Sequence, residues 1–148
     1  MVFTKIFKAI KFSKLWNKAL DRSSEGNSSE AIDEINKIRN LFKNKIDKLP
    51  YFVNVLHGYL LGIDGKHSQS IDIFTTAKEQ INSESSLNST NRRYLEHYCN
   101  WGILYSAKKI GKLDEFSNLK NFQWFDETKL RKVRSDLRKK FPIRQPDW

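Results

Sequence analysis

The sequence predicts an all-α fold, an antiparallel array of helix-turn-helix units with six to eight helices, and three observations predict it. Apolar residues recur at i+3 and i+4 steps along nearly the whole chain, the spacing that lines one face of a helix. No stretch alternates with period two, and the single Asp-Gly step, Asp64-Gly65, sits between helical patterns rather than between strands. With 148 residues, 39% of them apolar and ten of them Phe, the chain has the size and core material of one domain. It is not the composition of a disordered segment.

Each element follows from local pattern. In the first, Phe3, Ile6, Phe7 and Ile10 share one helical face while Phe12, Leu15, Trp16 and Ala19 share the opposite one. The stripe changes sides near Lys11, which predicts either a break there or a second packing neighbour for the first three turns. Asn27 and Glu30 have capping-box spacing and open a helix carrying Ala31, Ile35, Ile38, Phe42, Ile46 and Leu49, closed by Pro50. Pro50 starts the next helix, with Val53, Leu56, Leu60 and Ile63, and Gly65 ends it. A shorter helix from Ser68 or Gln69 carries Ile71, Phe74, Ala77 and Ile81. Residues 82–91, rich in Ser and Asn, read as a flexible connection. A helix from about Arg92 to Ile110 bears Tyr94, Tyr98, Trp101 and Tyr105 and stops at Gly111. A short helix with Leu113, Phe116 and Leu119 follows. Asp126 then caps a final basic helix over 126–141 with Leu130, Val133, Leu137 and Phe141, and Pro142 and Pro146 leave the end irregular.

The formal charge of +10 is unevenly spread. Residues 1–22 carry six positive and one negative side chain, residues 23–107 nine and ten, and residues 108–148 twelve and six. Two basic ends therefore flank a neutral centre of helix pairs spanning about 23–120. Such ends attract an anionic partner, whether an acidic protein, a nucleic acid or an anionic membrane. No unbroken apolar run reads as a secretory signal or a membrane span. Residues 2–10 also read as a basic amphipathic helix of the kind that lies on a membrane surface, but an ordinary packed helix is expected there instead. One Cys excludes an internal disulfide and points to a reducing, cytoplasmic setting.

Two segments repeat one pattern. Gly58-x2-Leu61-x3-Gly65 is followed by Ser70, Phe74 and Ala77, and Tyr98-x2-Trp101-Gly102-x2-Tyr105 aligns with it around Gly102. A weaker copy runs through Ala19, Gly26, Ala31 and Ile35. Over residues 12–120 the chain resembles the tetratricopeptide-repeat family, in divergent form. A Gly on one helix lets the next lie close, and an aromatic fills the gap between units. The intervals of 39 from Ala19 to Gly58 and 44 from Gly58 to Gly102 exceed that family's 34-residue unit. The resemblance implies a concave groove lined by Trp16, Leu20, Phe52, Val55, Tyr59, Glu96, Cys99 and Ile103, used to hold another protein. The basic clamp with which some members grip a peptide carboxylate is not reproduced, since Trp16, Leu20, Leu56, Glu96 and Asn100 stand at its positions.

No catalytic motif or cofactor signature is evident, and His57, His67, His97 and Cys99 lack metal-ligand spacing. Arg92-x4-His97 resembles the Arg/His element of all-helical, metal-independent ribonuclease toxins, an element short enough to arise by chance. In the last helix Arg131, Arg134 and Arg138 have i, i+3, i+7 spacing and share a predicted face suited to carboxylates or phosphates. The expectation is a non-catalytic protein-binding module of the cytoplasm, without cofactor. Its candidate contacts are Trp16, Phe52, Tyr59, Glu96, Arg131, Arg134 and Arg138, and its partner an acidic protein. Small basic chains of this kind resemble bacterial immunity proteins that neutralise a toxin domain, and small adaptors or chaperones. An RNA-binding protein or ribonuclease using Arg92 and His97 is the alternative.

Overall fold

The computed structural model describes residues 2–121 and 127–142. Among them seven α-helices and two 3-10 helices follow one another without a strand, as the periodicity predicts. Phe122 to Asp126, including the expected cap, and the end from 143 to 148 lie outside the described residues.

The first pair is α1 (Val2–Ser24) and α2 (Ser28–Leu41). They run antiparallel: Phe12 meets the Phe42 ring edge-on at 6.1 Å, and beside the turn Arg22 pairs with Glu30 at 3.0 Å. That ion pair draws Glu30 away from the predicted capping box, and Asn27 makes no side-chain cap bond. Neither expectation for the change of stripe in α1 holds. The helix is continuous through Lys11, with Leu15, Trp16 and Ala19 in the core, while Ile6, Phe7 and Ile10 face solvent.

The second predicted helix ends at Leu41 instead of Leu49. Lys43 and Asn44 take left-handed backbone, φ 54° and 59°, and turn the chain into a short 3-10 helix, Ile46–Lys48. Tertiary hydrogen bonds hold this turn. Asn54 Nδ2 donates to the Ile46 carbonyl and to Gln80 Oε1, and Gln80 Nε2 donates to the Leu49 carbonyl.

Next come α3 (Tyr51–Ile63), α4 (His67–Ser83) and α5 (Ser89–Lys109). Asn54 bonds Gln80 at one end of the α3–α4 pair, and Ser70 Oγ donates to the Gly58 carbonyl at 2.6 Å farther along. In the α4–α5 pair, Ile81 lies near Arg92 and His67 near Ser106. Both pairs are therefore antiparallel. The centre of this trio is the Phe74 ring, 1% exposed, which lies against Gly58 of α3 and Gly102 of α5. A Cβ at Gly58 would stand 2.9 Å from that ring, and one at Gly102 closer still. Both glycines of the repeated pattern thus serve one aromatic plug.

The segment expected to be flexible is held in place. Leu87, its only apolar residue, is buried, and Asn88 caps α5 by accepting from the Asn91 amide at 2.8 Å. After α5, a 3-10 stretch kinked at Phe116 (Leu113–Asn121) leads to α6 (Glu127–Arg131) and α7 (Ser135–Lys140). The single predicted basic helix over 126–141 is therefore two short ones. At the break, Arg134 adopts extended backbone and its amide donates to the buried Asn91 Oδ1 at 3.0 Å. Tyr94 hydroxyl donates to the Phe141 carbonyl at 2.6 Å. These two bonds dock the segment on α5 and let Val133, Leu137 and Phe141 enter the core together.

Two outcomes follow from this packing. Gly102→Ala forces a methyl into the Phe74 ring, and a loss of about 2–3 kcal/mol is expected from urea unfolding. Adding Phe74→Leu should make the double variant less destabilised than the sum of the singles. The second concerns His57, buried on α3, where burial above all, then Arg39 and Lys66, lower its pKa to about 4. The unfolded chain takes up the proton at about pH 6.5 and the folded chain only near 4, so stability falls as pH drops through that window. The loss amounts to about 3 kcal/mol in full. Urea midpoints measured between pH 7 and 4.5 should show the decline, and His57→Leu should flatten it.

Candidate functional site

Trp16, Phe52 and Tyr59, expected to line one groove, do share a side of the molecule, but the chain's own C-terminal segment crosses it. Trp16 of α1 packs on Phe52 of α3 with ring centroids 5.0 Å apart, Tyr59 of α3 lies 6.4 Å from Tyr98 of α5, and the Phe141 ring lies tilted 5.4 Å from Tyr98. Residues 134–142 run over this surface and leave a cleft on each side of Phe141. Several residues assigned to the groove are therefore core. Val55, Cys99 and Ile103 are fully buried and Trp16 nearly so. Burial pushes the Cys99 thiol far above its ordinary value, so it carries no reactive thiolate.

The first cleft, about 360 Å³, brings together Trp16, Tyr51 and Phe52 with Arg134, Asp136 and Lys140. Here the expected aromatic and basic contacts meet. Arg134 is nevertheless already engaged: Nε and Nη2 reach the two oxygens of Asp136 at 3.1 and 2.8 Å. The guanidinium's hydrogen bonds hold Asp136 below the usual carboxylate range. The shared arginine face is lost with the helix that would have carried it. Arg131 ends α6, Arg134 precedes α7 and Arg138 lies within it, and of the three only Arg134 lines the cleft. Glu96, half-buried on α5, lines neither cleft.

The second cleft, about 260 Å³, lies between α3 and α5. Tyr59, Ile63, Trp101 and Tyr105 reach solvent at its walls, and Phe74, Gly58 and Gly102 form its floor. Trp101 and Tyr105 stack at 6.0 Å with 26° between their planes, and Lys109 sits 5.6 Å from the centre of the Tyr105 ring. No charged side chain lines it among the described residues. Tyr59 is the one expected contact in this cleft. In the sequence Trp101 and Tyr105 mark a helix and the repeated pattern around Gly102 but not a contact site, although an aromatic at every turn for four turns exceeds what one buried stripe uses.

The Arg92 and His97 pair separates into two different environments. Arg92 Nη1 donates to the Ile81 and Asn82 carbonyls and Nη2 to those of Glu84 and Leu87, all at 2.7–2.9 Å. The guanidinium thereby caps the C-terminus of α4 and clamps the turn into α5. Five residues on, His97 lies about 140° around the helix, buried, its pKa lowered by that burial and by Arg93. His67 is used locally, Nδ1 against Ser106 Oγ at 3.1 Å and its ring edge-on to Tyr105. Among the described residues no three His, Cys, Asp or Glu side chains gather as metal ligands.

Comparison with protein-family models, with curated proteins and with solved structures finds no match to this chain.

The role of Arg92 is measurable. Removing the clamp in Arg92→Ala leaves four carbonyls without their charged donor, and a loss of about 2–4 kcal/mol is expected by denaturant unfolding. Arg92→Lys should recover little of it, because one ammonium cannot span the geometry of the guanidinium fork.

Proposed function

We propose that this chain is a non-catalytic binding module for an acidic protein partner, a divergent tetratricopeptide-like array that receives an apolar side chain of that partner between α3 and α5. The observation that carries this reading is the aromatic cleft of Tyr59, Ile63, Trp101 and Tyr105 over the Phe74 floor. Protein-binding hot spots favour such sites, where large aromatic rings form a preformed pocket for one anchor. The floor is rigid, because Phe74 is locked between two glycines, so little ordering entropy opposes binding. Lys109 beside Tyr105, and the net positive charge of the chain, suit carboxylates flanking the anchor. The ribonuclease alternative draws no support from Arg92, whose terminal nitrogens are bound to backbone.

The test places a photo-crosslinking benzoyl-phenylalanine at Ile63, an exposed wall of the cleft. Irradiation in a nuclease-treated native extract is expected to give one discrete protein adduct. Trp101→Ala with Tyr105→Ala should reduce that adduct at least tenfold while helicity is retained. Recovery of nucleic acid alone without nuclease, or an adduct indifferent to the double substitution, overturns the reading.

A further inference from the structure

We infer that the first three turns of α1 form an anionic-membrane contact, an amphipathic helix that lies on a negatively charged lipid surface with the rest of the domain held above it. Four large apolar side chains stand out as exposed among the described residues, and three of them, Ile6 (49%), Phe7 (69%) and Ile10 (49%), belong to this stretch. They occupy an arc of about 100° on the helix, opposite the face through which Leu15, Trp16 and Ala19 enter the core. The apolar stripe therefore points straight away from the body. A flat surface can reach it without any part of the fold opening.

The charge around the stripe selects the surface. The first twenty residues contain five lysines and no acidic side chain, and Asp21 is the first carboxylate in the chain. Lys14 continues the apolar face one turn on and Lys11 borders it, both exposed, so their ammonium groups flank Ile6, Phe7 and Ile10 at the level of lipid headgroups. Lys8 is directed the other way, its Nζ 4.3 Å from the centre of the Phe42 ring. This contact ties the projecting turns to the end of α2, while the burial of Leu15, Trp16 and Ala19 sets the direction in which the stripe faces. A basic rim around an apolar face is the arrangement that binds anionic bilayers through burial and electrostatics together. Pairing of two such stripes in a dimer would instead bring Lys11 and Lys14 of both copies together with no carboxylate among the first twenty residues to offset them.

Cosedimentation of the full chain with vesicles tests this directly. With vesicles of 30% phosphatidylglycerol in phosphatidylcholine, most of the protein is expected in the pellet at low salt, and with phosphatidylcholine alone at least tenfold less. Ile6→Ser with Phe7→Ser should weaken binding at least tenfold at unchanged helicity, since neither residue lies in the core, and so should Lys11→Glu with Lys14→Glu. Binding that survives both double variants overturns the proposal, as does equal binding to neutral vesicles or no binding at all. A lipid-free dimer that the Ile6/Phe7 variant dissociates would also overturn it, by assigning the stripe to a second copy.

Discussion

One side chain fixes how closely three helices approach. The Phe74 ring, on α4, occupies space that a methyl group on either α3 or α5 would take, so the positions of all three helices are set by two absent side chains. Native interiors are packed to the density of organic crystals, so a ring pressed against two backbones leaves little space unfilled. The polar contacts around it are consistent with that fixed spacing. Ser70 reaches the Gly58 carbonyl one turn away from the ring, and Gly62 lies close to the hydroxyls of both Ser70 and Ser106. The aromatic cleft above is a direct result, since its floor is the same ring.

The connections are held by side chains as firmly as the helices are held by their core. Asn54 and Gln80 secure the turn before α3, Arg92 the turn before α5, and Asn91 with Tyr94 the segment that returns across the domain. Each of these polar groups satisfies backbone atoms that a loop would otherwise expose or bury unpaired. This is why short, Ser- and Asn-rich turns behave here as fixed parts of the structure.

The helices were legible in the sequence because each buries one stripe, and stripes need only local spacing to be seen. Helix ends were less so. The end of α2 depends on Lys43 and Asn44 adopting left-handed backbone to bring Ile46 and Leu49 under the reach of Asn54 and Gln80, residues 26 apart from one another. Nor does spacing reveal the break between α6 and α7: Val133, Leu137 and Phe141 fit a continuous helix, and the bond from Arg134 to Asn91 at the break joins residues 43 apart. The expected arginine face failed for that reason. For the candidate site, the course of residues 134–142 was not legible, because nothing local marks a segment that docks on helices far back in the chain. Leu87 is an apolar signal inside a polar stretch, and the aromatic run through Tyr105 marks a helix and a repeat without marking the cleft that Trp101 and Tyr105 line.

The return of the C-terminal segment also changes the topology of unfolding. An open array of helix pairs has contacts only between neighbours, so its ends fray independently and its stability is close to a sum over units. Here Phe141 meets Tyr98 of α5 and borders the same cleft as Trp16 of α1 and Phe52 of α3, which joins the last elements to the first. The terminal segment thus ends beside residues from both early and late helices. Loss of the terminal segment therefore exposes surface on three helices at once, which couples those helices to it in unfolding, and contacts this far apart in sequence assemble more slowly than a string of local pairs.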